Sequence, residues 1–415
     1  MNRKLSPQVI VLIMACLLMC LAMFHKIAPS VLSLDLTRDL DLSPVQLGAV
    51  GSMTMLGFGL MQLPGGLLVD RLSGRKTLAG LSLITGLGTL IFALAPTPAP
   101  AIASRFLVGI GLAVTVPCLA VLAQWFSPST FGRANSIFLA AAGLGSLLAS
   151  SPLALASQVF GWRTVLLSIS GISFIMAILL MRLIPAKPPK VDEISQKNAE
   201  QPKIIPTIKV VLQTRNFWHL AGFMGFMGGL FMSFNTLWWG PYLMQGNGLS
   251  QVTAGNILAV IQMCGLLLTP CLALVYDKLI PNRKRLLLLC SCLALAVIIL
   301  MRKVCGTQNP ALHIALGLVF ATAGGNIVTV LYSSIREIFP VSMAGTALGC
   351  FNTVMPICCV TIQQVFGYLI QIQKNAEFPL AMSEAYANAM WLPIILAILA
   401  VFSILTMPGH QPRPR

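Results

Sequence analysis

A histidine, a lysine and a proline stand inside the apolar run LAMFHKIAPSVLS, residues 21–33. A lysine at the centre of a bilayer-spanning helix costs about 2.5–3.5 kcal/mol, so it needs a watery cavity, a counter-ion or a way out to the interface. The chain has 11 acidic residues, and the sequence pattern puts all of them in loops or at helix ends. Lys26 therefore has no evident carboxylate of its own, and one reading is that it binds the anionic group of a substrate. The rival reading is structural, with the long side chain snorkelling outward. Ala22, Lys26, Ser30 and Ser33 share one helical face. Pro29 has no N–H to give the carbonyl four residues back, which frees the His25 oxygen and allows a kink. His25 is the natural carrier if a proton is coupled, since an unperturbed imidazole titrates near neutrality. Adjacent helical residues point about 100° apart, so His25 and Lys26 need not face the same space, and a packed neutral histidine is the alternative.

The elements that must hold these residues follow from composition. Of 415 residues, 57% are hydrophobic and 9% charged, against about 25% charged in a soluble domain. A mean hydropathy of +0.86 over the whole chain calls for backbone polar groups satisfied within helices across a bilayer. Twelve apolar runs are long enough to span, at 8–33, 45–69, 77–95, 101–126, 134–160, 164–184, 217–244, 252–275, 286–301, 311–334, 345–371 and 384–407. The N-terminal run is too long for a signal peptide and is read as a retained first helix.

The net charge of +16 could point to nucleic acid. With the N-terminus placed in the cytoplasm, however, most of the Lys and Arg residues fall in cytoplasmic segments, as the positive-inside rule requires. No nucleic-acid partner is expected. Ten of the 11 cysteines lie inside apolar runs with no CxxC pair, which suggests packing residues rather than metal ligands or disulfides.

Internal repetition divides the chain. LSPVQLG at 42–48 and LSQVTAG at 249–255 stand at the same offset as Asp70 and Asp277, and QVFG recurs at 158–161 and 364–367. Two six-helix units result, 1–184 and 217–407, with a site expected between them. A Pro-, Lys- and Gln-rich segment, 185–216, reads as a solvated cytoplasmic linker and 408–415 as a tail.

The turn after the second run, GGLLVDRLSGRKTL, resembles the signature of the major facilitator superfamily. Gly66, Asp70, Arg71, Arg75 and Lys76 match it, while Ser73 stands where the signature has glycine and Gly74 follows one place later. The resemblance implies an all-α fold of twelve transmembrane helices in two pseudo-symmetric bundles. It also implies a gating role for the five residues, with Asp70 against the start of helix 11. RFLVGIG, from Arg105 to Gly111, is similar to the family's helix-4 motif and suggests coupling by Arg105; snorkelling to the interface is the competing reading. The segments 28–48 and WWGPYLM look most like bacterial sugar-phosphate and organic-anion permeases and phagosomal nutrient transporters. In the organophosphate group a cation stands at the position of Lys26, but helix 7 here lacks that group's second cation.

The expectation is therefore a secondary active transporter of the inner membrane, both termini cytoplasmic. It moves a small anionic or carboxylate-bearing solute by alternating access and works as a monomer. The substrate-binding set is Lys26, His25, Ser30, Asn235, Trp239, Asn326 and Asn352, and the gating set is Gly66, Asp70, Arg71, Arg75, Lys76 and Arg105. No cofactor, metal or catalytic group is expected: no phosphate-binding G-x-x-x-x-G-K-[ST] loop is present, and no paired carboxylates lie within helices. Efflux of amphiphiles, or uptake of amino acids, nucleosides or siderophores, is the alternative.

Overall fold

The computed structural model describes residues 6–185, 204–279, 283–324, 331, 334–335, 338–376 and 379–407. Twelve crossings are traced among them. They are α1 (Pro7–Asp39), α2 (Pro44–Leu60 with Gln62–Leu72), α3 (Gly74–Leu94), α4 (Pro98–Gly111 with Thr115–Trp125), α5 (Pro128–Leu148 with Ser151–Phe160) and α6 (Trp162–Leu183). The second half has α7 (Arg215–Gly246), α8 (Gln251–Leu279), α9 (Arg283–Lys303), α10 (Pro310–Gly324), α11 (Val341–Lys374) and α12 (Met382–Ala389 with Trp391–Leu405).

Starts are written into the sequence. α1, α2, α4 and α5 each open with proline directly after Ser or Thr, the N1 position where a missing N–H costs nothing. Ser43 and Gln46 close a reciprocal capping box on α2, satisfying two otherwise orphaned donors. α1 runs on to Asp39, past the sequence limit at residue 33, with Arg38 and Asp35 paired one turn apart at 3.5 Å. Within the linker segment, Ile204–Gln213 is a helix, and Val211 on it is fully buried.

With twelve crossings the start of α1 and the end of α12 lie at one end of the bundle, here the terminal end; the other is the far end. Two apolar clusters fill the interior. One is confined to the first half, through Val11, Leu18, Phe58, Leu78 and Leu112. The other runs from the second half into the far end of the first, through Leu36, Leu47 and Val50. The halves thus share a core at the far end, and Lys26 lies on α1 where the two clusters part.

The signature turn shows why its glycine is displaced. A Cβ on Gly74 would strike Val121 of α4, so that place admits nothing larger. Ser73 then takes φ 80°, ψ 148°, a region nearly restricted to glycine that costs other residues about 1–3 kcal/mol. Thr77 steadies the turn by donating its hydroxyl to the Ser73 and Leu68 carbonyls at 3.0 Å each. Ser73→Gly is expected to raise the thermal midpoint by about 1–2 °C and Ser73→Ala to leave it unchanged. A midpoint lowered by the glycine would show that no strain is held there.

Candidate functional site

Lys26 is 4% exposed. Its ammonium sits 3.7 Å from the centroid of the Phe58 ring on α2, a cation–π contact worth about 2 kcal/mol or more when desolvated. Cys359 of α11 is close enough to couple to it electrostatically. Among the described residues no carboxylate and no hydrogen-bond acceptor meets the charge. Because α2 belongs to one half and α11 to the other, Lys26 lies at the junction between the halves.

The proline-freed carbonyl has found a donor. Arg105 Nη2 donates to the His25 oxygen at 3.1 Å, and its Nε donates to Thr54 Oγ1 at 2.9 Å. The guanidinium lies 5.2 Å from the Phe92 centroid, and Arg105 is only 3% exposed. Arg105 therefore does not snorkel; it ties α4 to the α1 kink and fixes the turn that presents Lys26. Breaking such a bond would leave a buried charge and a buried carbonyl unmatched, each costly.

His25 faces away from Lys26. Its ring nitrogens lie 3.4 Å from Thr89 Oγ1 of α3 and 3.3 Å from Ser173 Oγ of α6, inside the first half. A proton there would add a second cation beside Arg105. The ring of His25 thus packs within one bundle, because adjacent helical residues diverge.

Ser30 bridges the two halves. Its Oγ accepts the Gly240 N–H of α7 at 2.9 Å, joining the halves toward the far end. α7 itself contains three wide π turns, Met224–Gly228, Phe234–Trp238 and Tyr242–Gly246, features that recur at functional sites. Further toward the far end, Asp35 Oδ2 accepts from Ser157 Oγ of α5 and from Gln251 Nε2 of α8, each at 2.8 Å. Ser151 donates to Asn256 at 2.5 Å, and Gln364 to Ser52 at 2.6 Å. All of these bonds but the one from Ser157 cross between the halves and hold the far end together.

The remaining expectations divide. Asn235 is half-buried and accepts from Gln262 Nε2 at 2.6 Å. Trp239 is 1% exposed and packs on Phe234, Tyr242 and Phe320, so its place is the second-half core rather than a binding surface. Asn352 is half-buried on α11, about two turns toward the terminal end from Cys359. Asn326 lies outside the described residues. Of the gating set, Gly66 and Asp70 are placed only by backbone, within Gln62–Leu72. Arg71 and Lys76 are exposed, and Arg75 is half-buried with Nε unpartnered. An apolar groove between α1, α5 and α6, lined by Leu17, Phe24, Leu153 and Met176, has no group to hold a polar solute.

Residues 14–363 match the family model described as Major Facilitator Superfamily. The chain belongs to that family. It is a multi-pass membrane transporter and not an enzyme, as are the relatives it matches. One is a probable galactarate/D-glucarate transporter of Bacillus subtilis, 26% identical over 90% of this chain and 88% of the relative. Another is a gentisate transporter of Corynebacterium glutamicum, 26% identical over 89% and 83% respectively. Among solved structures, a bacterial homologue of the human lysosomal transporter Spinster superposes with a TM-score of 0.73 at 17% identity, covering 97% of this chain and 96% of that one. At that identity the likeness shows the superfamily fold alone.

Sequence reasoning misses Asp35 and Gln363 as interface residues. The apolar pattern ends helix 1 at residue 33 and so puts Asp35 in a loop. Gln363 is one of several intrahelical polar residues with nothing to single it out. The repeat holds one hint, since Gln363 immediately precedes the recurring QVFG.

Proposed function

We propose that this transporter carries a small organic anion across the cytoplasmic membrane by alternating access, with Lys26 as the counter-ion that receives it. The observation that carries this reading is the buried ammonium on α1 where the halves meet, set over the Phe58 ring and met by no described carboxylate. Keeping a cation there is expensive, and a substrate carboxylate would offset that cost. The relatives are named for transport of dicarboxylic sugar acids and a hydroxybenzoate, all anions at neutral pH. The positive-inside rule supports cytoplasmic termini, so the sealed far end faces outward and this conformation suits delivery to the cytoplasm. Uptake is the direction it favours. A coupled proton would need a carrier other than His25, whose ring is committed to Thr89 and Ser173.

Counterflow in proteoliposomes tests the reading. Vesicles preloaded with unlabelled glucarate or gentisate are expected to accumulate the labelled anion, and vesicles preloaded with xylose, a nucleoside or a cationic dye are not. Exchange of only the neutral or cationic compounds would remove the anion assignment.

A further inference from the structure

One turn along α11 from Cys359, toward the far end, stands Gln363. Residues four apart on a helix share a face, with Cβ atoms about 5–6 Å apart. Gln363 is fully buried, its Nε2 donates to Thr236 Oγ1 of α7 at 3.0 Å, and it reaches the Ser233 carbonyl at 3.5 Å. Thr236 also lies against the Cys359 thiol, which neighbours Lys26. Gln363 and Thr236 thus form a polar pair on the second half that faces α2 of the first half at Gly51, one helical turn along α11 from the cysteine that couples to Lys26.

Two atoms here have no partner: Gln363 Oε1 and Ser233 Oγ are both buried and unsatisfied. The carbonyl oxygen abuts Gly51 of α2, whose missing Cβ would lie 2.8 Å from it, so it meets bare backbone with no donor. Enclosing such groups costs about 1–3 kcal/mol each, and native proteins keep few of them without a reason. Both sit on helices from the half opposite Lys26, on a face that the parting of α2 from α11 would uncover.

We propose that Gln363, Ser233 and Thr236 form the hydroxyl-recognising part of the substrate site. Lys26 takes the carboxylate, and the substrate is a hydroxylated carboxylic acid whose hydroxyl groups reach one helical turn, about 5.4 Å, along α11. Gln363 Oε1 accepts a hydroxyl proton and Ser233 Oγ completes the pair. This rests on the reading of Lys26 as the anion's counter-ion. A site built to bond a substrate hydroxyl rejects analogues that lack one, because its own polar groups are then left unpaired.

The test is isothermal titration of the full chain in nanodiscs with two matched pairs, glucarate against adipate and gentisate against benzoate. In at least one pair the wild type is expected to bind the hydroxylated acid tenfold or more tightly than its partner. Gln363→Leu and the milder Ser233→Ala are expected to weaken the hydroxylated acid fivefold or more and shift the plain acid less than twofold. Lys26→Gln should weaken both members of the pair alike. Equal binding within both pairs, or variants that weaken both members equally or neither, overturns the hydroxyl assignment and leaves the anion reading standing. No binding of any of the four acids overturns both.

Discussion

Lys26→Gln is expected to reduce affinity for the transported anion at least 30-fold and to abolish measurable uptake, without lowering the stability of the ligand-free protein. Truncating one member of a buried charge pair costs about 2–5 kcal/mol, and every 1.4 kcal/mol is tenfold in Kd. Glutamine keeps the length and polarity of the side chain and removes only the charge. In the empty transporter that charge lies against Phe58 with no described carboxylate, so neutralising it relieves a desolvation penalty. The thermal midpoint without ligand should hold or rise. The two readouts move in opposite directions only if Lys26 serves the substrate. A purely structural lysine predicts a lower midpoint and unchanged affinity, and that pairing would end the proposal. Lys26→Arg, which keeps the charge on a broader, more weakly hydrated group, should retain part of the binding.

What the sequence made legible about Lys26 came from exclusion. Eleven acids are few enough to place one by one, so a lysine without a partner stands out from the pattern of charges alone. Proline chemistry was equally local: Pro29 must free the His25 carbonyl, and it does. The donor that fills the gap was not legible, because Arg105 lies 80 residues away in sequence and only the packing of α4 on α1 decides whether it snorkels or turns inward. The direction of His25 was hidden for the same reason, since two polar neighbours on α3 and α6 settle it. The apolar runs marked the twelve spans well, and the run that begins at residue 45 placed the start of α2 within a residue. The π turns of α7 leave no mark in a uniformly apolar pattern. The bond from Gly240 to Ser30 spans 210 residues of sequence and leaves none either, and so the far-end closure stayed out of view.

That closure carries the second large effect. At Gly240 the backbone of α7 comes so close to α1 that an added Cβ would overlap the Ser30 carbonyl oxygen. Its N–H is also spent on Ser30 Oγ. Gly240→Val therefore cannot be accommodated by turning a side chain; α1 and α7 must separate. Overpacking of this kind costs about 1–3 kcal/mol or more, enough to shift a two-state balance about 5–150-fold. The variant is expected to hold the far end open, to keep substrate affinity within a fewfold of wild type and to lose nearly all counterflow. Hydrogen–deuterium exchange should show the opening directly. Faster exchange is expected around Ser30 to Asp35 of α1, Trp238 to Gly246 of α7 and Gln363 to Gln371 of α11, while α3 and α6 stay protected. Gly171→Val is the matched control, since a Cβ on Gly171 of α6 meets nothing within 4 Å; it should fold, bind and transport normally. If Gly240→Val leaves exchange and counterflow at wild-type levels, the contact is not a gate. If exchange rises throughout α1 to α12, the substitution has damaged the bundle rather than opened one end. Localised exchange with binding preserved and transport lost would tie the Ser30–Gly240 contact to the conformational cycle, because only a transporter that must close its far end is stopped by being unable to.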